Sequence, residues 1–450
     1  MRIKTAVDIT LAFVKESLGI IPLENDRFKK INAICTDSRI VQKNDLFFAL
    51  PGENFDGENF ILDAKQRGAF TVSSKFQEAD VFFSSTVKAL QKISGEYKKL
   101  LGIKKTVAIT GSVGKTTTKN LTSKILETKY KVHSTHKNLN NEIGVPFTLL
   151  SAPRDSEILV IEAGMNHEGE LAEISGFLKP DICVITKIGT AHIGNLGSRE
   201  KIAKAKSEII SGSKNPVLLS PYGEILLNSI PSRKTVSVKT KDADFALIQK
   251  KASDCGFKFD FFSKNTLLSD ISFSHYGTHI PECLAYAIAV SLLLDMTEHE
   301  ITKALSKIDF HAPNLIECAN GILILDDSYN SSPEAVETAF KTLLLCNAKH
   351  SALLGDMLEL GKYTERLHYN IGVLAAKSKI NFLYLFGEYS DFTKNGALSY
   401  GFEEKNIFVN YDTQKPQITA EAIKLHSKNE VILFKASRKL RLERIINILK

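Results

Sequence analysis

One stretch limits this chain more than any other: residues 107–118 read V-A-I-T-G-S-V-G-K-T-T-T. A β-favouring run over Thr106–Thr110 breaks at Gly111 into a turn and then into a helix-permissive segment from Lys115. Gly111 and Gly114 allow a loop tight enough for its backbone N–H groups to converge on phosphate oxygens, and the N-terminus of the following helix adds unpaired donors. Thr110, Gly111, Ser112, Val113, Gly114, Lys115, Thr116 and Thr117 are therefore the candidate triphosphate cradle. Lys115 supplies a point charge for the β/γ-phosphates and the Thr116 hydroxyl a ligand for Mg²⁺. The general phosphate loop has a glycine five positions before Gly114, where this chain has Ile109. The loop is thus the shorter form T-G-x-x-G-K-T, which points away from generic kinases and GTPases. A chain built around it is expected to contain a parallel α/β sheet.

At 450 residues there is room for two to four domains. The net charge of +7 comes from lysines spread along the chain without a compact basic run, which favours small anionic ligands over nucleic acid. Six cysteines (Cys35, Cys183, Cys255, Cys283, Cys318, Cys346) form no C-x-x-C pair. Cys183 and Cys346 sit in apolar runs and read as buried thiols. No apolar run approaches 18 residues and the first residues contain no long apolar core, so no leader and no membrane insertion are expected. A cytoplasmic monomer is the expected state.

Residues 1–85 form a first unit of short mixed elements, with turns at Thr36-Asp37-Ser38-Arg39 and over 51–57 flanking an apolar strand over 46–50. From 86 to 311 strands alternate with helices, as in a parallel sheet. Residues 233–275 read as a β-rich insertion and 284–295 as an apolar helix. From 312 to 450 the alternation restarts as a second doubly wound unit, with a boundary near 310–313.

Polar groups at the carboxyl ends of parallel strands lie where such sheets bind ligands. Glu162 ends the run Ile158–Ile161 and can hold a phosphate-bridging Mg²⁺. His192 follows another strand, and from spacing alone a structural role is the commoner reading and a ligand role the alternative. Lys204 and Lys206 read as a solvated helix face. The C-terminal unit offers Asp326–Asn330, Leu354–Gly361 and Lys435–Arg438 at three strand ends, which implies a second binding surface across a cleft.

The motifs T-G-S-V-G-K-T, N-L-N-N-E-I-G-V-P, E-A-G-M-N-H-E-G-E, A-H-I-G-N-L-G-S, A-K-A-K-S-E-I, D-D-S-Y-N-S-S-P and L-G-D-M-L-E-L-G occur in the order found in Mur ligases, which the chain resembles along its whole length. The resemblance implies three domains: a mixed N-terminal uridine-nucleotide domain, a central phosphate-loop ATPase domain and a C-terminal Rossmann-like domain. It implies an ATP-dependent ligase, with the last two motifs pointing to the branch that joins D-Ala-D-Ala to a UDP-N-acetylmuramoyl-tripeptide. By this resemblance Thr116, Glu162, His192 and a carbamylated Lys206 hold two Mg²⁺ ions, and Lys115, Glu162, His192 and Lys206 form the catalytic set. Asp327, Tyr329 and Asn330 face ATP. Asp37, Ser38, Arg39, Asn138, Asn140, Asn141, Asn166 and His167 belong to the UDP-substrate side, and Asp356, Ser437 and Arg438 to the dipeptide side. A folylpolyglutamate-type ligase and a non-ligating phosphate-loop ATPase are the alternatives. The chain departs from the family at Pro313-Asn314, where Gly-Arg is usual, at Cys283, where an asparagine is usual, and at Ala436 in K-A-S-R.

Overall fold

The computed structural model describes residues 1–52, 55–253, 256–274, 277–308 and 315–450. The boundary expected near 310–313, Cys255 and the Pro313-Asn314 departure lie outside the described residues. Three α/β units follow one another. The first carries a five-stranded sheet in the order Arg2–Ile3, Ile34–Cys35, Leu46–Phe48, Phe70–Ser73 and Val81–Phe82, parallel except at the Arg2–Ile3 edge, beside a separate antiparallel pair of Ile9–Thr10 with Lys30–Ile31. Leu46, Phe47 and Phe48 are all buried, because a mostly parallel sheet covered on both faces leaves no polar side to its inner strands. The helix Thr86–Leu100, capped by the Ser85 hydroxyl, then packs on the middle unit's helices Gly144–Leu150 and Glu170–Leu178.

The middle sheet has nine strands. Their order is Thr266–Ser274, Gly256–Ser263, Phe245–Ser253, Arg233–Ser237, Val217–Pro221, Ile182–Ile185, Lys105–Thr110, Ile158–Glu162 and Val132–Ser134. Lys105–Thr110 lies between Ile182–Ile185 and Ile158–Glu162, parallel to both. The phosphate loop, Glu162 and Thr186 therefore leave the sheet side by side at a topological switch point.

The β-rich character expected over 233–275 holds among the described residues, whose four strands extend this same sheet. Phe245–Ser253 joins in parallel and the last two strands antiparallel. Phe257, Phe259 and Phe261 alternate onto one face. With Phe273 they share a core with the helix Ile280–Leu293. That helix starts four residues before the expected 284 and buries eleven side chains around its girth, as an interior helix must. The helix Lys115–Leu126 and the strands Arg233–Ser237 and Phe245–Ser253 pack against it.

The C-terminal unit has six strands, ordered Leu315–Glu317, Leu323–Asp326, Glu430–Lys435, Lys349–Gly355, Leu383–Phe386 and Ile407–Asn410, parallel except at the Leu315–Glu317 edge. The two short edge strands and the helix Ser390–Ser399 have no clear sequence signal. That helix contains Gly396 and is rich in poor helix formers, but packing selects it. Its backbone meets the helix Thr364–Lys377 so closely that a Cβ on Gly396 would lie 2.0 Å from Tyr369 O, and one on Gly372 would lie 1.9 Å from Thr393 O. The apparent breakers are the contact points. Cys183 is buried, whereas Cys346 is only half-buried. Among the described residues no helix is long and apolar enough to cross a membrane.

Candidate active site

The phosphate loop is shaped from outside itself. Gly111 sits at φ +146°, and a Cβ there would meet Thr186 Oγ1 at 2.0 Å. The Thr186 hydroxyl donates to Val113 O at 2.5 Å. Ser112 N donates to Lys187 O and Gly189 N to Ser112 Oγ, both at 2.9 Å. Gly114, at φ +86°, caps the helix Lys115–Leu126, whose N-terminus faces the cleft. Lys115 Nζ folds back onto Gly111 O at 2.7 Å; burial pushes this ammonium's pKa down, while the Glu162 carboxylate acts in the opposite sense.

Glu162 is held on both oxygens. Thr116 Oγ1 donates to Oε2 and Asn140 Nδ2 to Oε1, each at 2.8 Å. Its backbone N–H donates to Thr135 Oγ1 at 2.9 Å. A hydroxyl and an oriented carboxylate at the mouth of a phosphate loop are hard oxygen donors suited to Mg²⁺. Beneath the loop Cys283 Sγ lies 3.7 Å from Gly114 O, and burial pushes its thiol up to about 12.

The two lysines of A-K-A-K separate sharply. Lys204 is exposed and pairs with Glu168. Lys206 is 2% exposed, and its pKa is driven far down, first by burial and then by the charge of Lys115. It therefore does not belong to the solvated face that the residue pattern suggested. His192 lies in the loop after Ile182–Ile185 at φ +62°, and its Nδ1 bonds Glu359 of the C-terminal unit.

The C-terminal strands point their carboxyl ends at this loop across a cleft of about 610 Å³. Asp327, Tyr329, Asn330, Ser437 and Arg438 line it opposite Ser112–Thr117, Asn140, Glu162, Asn166 and His192. Lys435 bonds Asp327 Oδ2 at 3.0 Å and the Asn330 carbonyl, which fixes that turn. Ser437 Oγ accepts from Leu358 N at 2.9 Å, and Arg438 pairs with Glu443 at 2.9 Å.

Asp356 does not reach the cleft. It is buried behind the lining, its two oxygens accept from Glu388 N and Tyr389 N at 2.9 and 3.0 Å, and burial raises its pKa. Asn141 Oδ1 accepts from Gly144 N at 2.8 Å at the start of the next helix. Asn138 and His167 are exposed beside the cleft; Asn138 lies near Tyr329, and His167 near Glu359. Asp37, Ser38 and Arg39 stay in the first unit, away from the cleft lining, with Arg39 paired to Asp37 at 2.7 Å.

Two residues without a sequence assignment connect the units. Glu334 Oε1 accepts from Thr190 N at 2.7 Å and Thr190 Oγ1 at 2.9 Å. Glu359, quoted within L-G-D-M-L-E-L-G but given no role, bonds His192. An acidic residue just after Ser332-Pro333, in the first turn of a helix, was the available signal for Glu334. The partner on the other unit was not readable.

Three family regions cover most of the chain: residues 30–103 match the Mur ligase family catalytic domain, 109–291 the Mur ligase middle domain and 314–438 the Mur ligase glutamate ligase domain. A phosphate-loop sheet and a second doubly wound sheet closing on one cleft are the architecture of these ligases, and the chain belongs to the Mur ligase family. Over 440 residues it is 35% identical to the UDP-N-acetylmuramoyl-tripeptide–D-alanyl-D-alanine ligase of Bacillus subtilis, with 94% of each chain covered. The crystal structure of MurF from Acinetobacter baumannii superposes with a TM-score of 0.86 at 25% identity, covering 99% of both chains. MurF from Thermotoga maritima, solved in complex with ADP, gives 0.79 at 28% identity over 92% of this chain and 96% of that one.

Proposed function

We propose that this chain joins D-Ala-D-Ala to the terminal carboxylate of UDP-N-acetylmuramoyl-tripeptide, converting ATP to ADP and phosphate. The observation that carries this reading is the single cleft in which a phosphate loop and an oriented strand-end carboxylate face the Asp327–Asn330 turn of the second sheet. The full-length match to ligases of that name supports the substrates.

A carboxylate is a poor acyl donor, so the residues must first assist its phosphorylation. The loop N–H groups and Lys115 neutralise charge on the β- and γ-phosphates, while the tripeptide carboxylate attacks the γ-phosphorus and the bond to ADP breaks with its electron pair. The amine of D-Ala-D-Ala then attacks the acyl carbon, inorganic phosphate leaves, and the nitrogen loses a proton. Throughout, the protein's own contribution is positioning and charge. Thr116 and Glu162 would hold one Mg²⁺, and His192 with a carbamylated Lys206 would hold a second; bound there, the ions would supply Lewis acidity at the phosphates. Carbamylation needs a neutral amine, and burial of Lys206, with the charge of Lys115 acting in the same sense, favours that form.

Asn138, Asn140, Asn166 and His167 border the acyl-phosphate region, and Asn141 shapes their loop. Asp37, Ser38 and Arg39 are assigned to the uridine nucleotide; Tyr329 and Asn330 face ATP beside Asp327. Ser437 and Arg438 stand on the dipeptide side, with Asp356 holding the loop behind them. The unpaired Cys35, Cys183, Cys283 and Cys318 support a cytoplasmic setting, and a monomer suffices because one chain lines the whole cleft.

Incubation with ATP, Mg²⁺, UDP-N-acetylmuramoyl-tripeptide and D-Ala-D-Ala tests the reading. Phosphate release is expected only when both co-substrates are present. Release that ignores them would leave a non-ligating ATPase.

A further inference from the structure

His192 and Glu359 are 167 residues apart and belong to different units, yet the imidazole Nδ1 is bonded to the carboxylate. The backbone beneath them is built for that meeting. Gly194 N donates to Glu359 O at 2.9 Å, and Tyr363 donates its hydroxyl proton to Gly197 O at 2.9 Å. A Cβ on Gly194 would stand 2.5 Å from Glu359 O and 2.6 Å from Gly361 N, so only glycine permits this approach. Both His192 (φ +62°) and Glu359 (φ +64°) occupy the left-handed region, a strained conformation for side-chain-bearing residues that persists only where the surroundings enforce it.

Both side chains line the cleft that holds Lys115, Thr116 and Glu162. An imidazole that gives its Nδ1 proton to a carboxylate keeps its lone pair on Nε2, and the ring is fixed in one tautomer and one orientation. Glu359 makes no other side-chain hydrogen bond among the described residues. It is therefore free to act on the ring alone.

We propose that Glu359 is a positioning residue, supplied by the C-terminal unit across the interface, that fixes His192 as the Nδ1–H tautomer with Nε2 presented to the phosphate-loop cleft. The middle unit's cation-binding group is then complete only when the second sheet is docked. The inference rests on the reading of His192 as a cation ligand, and its test separates the two.

The test uses the full-length protein loaded with ADP, with Mn²⁺ in place of Mg²⁺, and two readouts: Mn²⁺ affinity by electron paramagnetic resonance, and the ring ¹⁵N shifts of His192 by NMR in the Mg²⁺-loaded form. Glu359→Ala is expected to weaken Mn²⁺ binding about 10- to 100-fold and to release the Nδ1–H tautomer signature. Glu359→Gln, whose amide oxygen still accepts from Nδ1–H, should keep that signature. Tyr363→Phe removes another cross-interface hydrogen bond without touching the ring and should leave both readouts in place. Equal losses in Tyr363→Phe and Glu359→Ala would reduce Glu359 to a latch and overturn the proposal. Wild-type Mn²⁺ affinity in Glu359→Ala together with loss in His192→Ala would overturn the positioning role and keep the ligand reading. Unchanged affinity in both would overturn both.

Discussion

The middle and C-terminal sheets present the same architecture to the cleft, the carboxyl ends of parallel strands, but leave their polar groups in different states. On the C-terminal side the groups are largely satisfied: Asp356 by two backbone N–H groups, Ser437 by Leu358 N, Lys435 by the Asp327–Asn330 turn. On the middle side the Lys206 side chain is buried and makes no hydrogen bond or ion pair among the described residues, and the half-buried Lys115 nearby has only a carbonyl for its ammonium. Satisfied groups maintain a shape, whereas unsatisfied ones carry a standing cost that a ligand or modification can relieve. The contrast separates a face that performs chemistry from a face that orients and completes it.

The strongest way to break that contrast is Lys206→Ala. Phosphate release in the full reaction is expected to fall by about 10²- to 10³-fold and to return in part with short carboxylates such as acetate, which supply the missing oxygen donor. A variant with wild-type rates would place Lys206 among structural groups. Asp356→Ala probes the other face and should act mainly on stability. Losing two accepted backbone hydrogen bonds at a buried site costs about 1–3 kcal/mol, read as a lower denaturant midpoint, with nucleotide affinity unchanged. An unchanged midpoint with lost dipeptide binding would make Asp356 a direct ligand and reverse the assignment.

The smallest effect is one of pH. Lys206 has a folded pKa well below its ordinary 10.5. As pH falls from above 10.5 the unfolded chain takes up that proton first, so the native state loses stability progressively until the folded pKa is reached. Lys206→Met removes this slope and should be the more stable protein near neutrality, measured as a higher melting temperature that is less sensitive to pH across that window. A variant melting at or below the wild type would show that the buried amine is compensated after all.

This division explains which features were readable in the sequence. The phosphate loop is contiguous and its chemistry depends on residue order, so residues 110–117 could be placed before any fold was known. Glu162 was legible because a carboxylate ending an apolar strand has few places to go. Lys206 was not legible from pattern, since its helix carries Lys201 and Lys204 around it and only the tertiary fold decides which lysine is inside. The resemblance supplied the choice. The pairs His192–Glu359 and Thr190–Glu334 depend on how two units dock, and no local pattern encodes a partner 144 or 167 residues away. The helix Ser390–Ser399 was hidden for a related reason: Gly372 and Gly396 look like breaks along the chain and act as contacts across it.

Gly111 and Thr186 also set a rule for how this protein can change. Any side chain at 111 has to hold φ +146° and displace a hydroxyl 2.0 Å away, while the same hydroxyl bonds Val113 O. Trimming Thr186 to alanine would clear the space but release the loop, so the first step towards a different residue at 111 passes through a weaker protein. The two positions are coupled, and their substitutions should be far from additive. Although the loop reads as a local motif, one of its glycines can vary only together with a neighbouring strand.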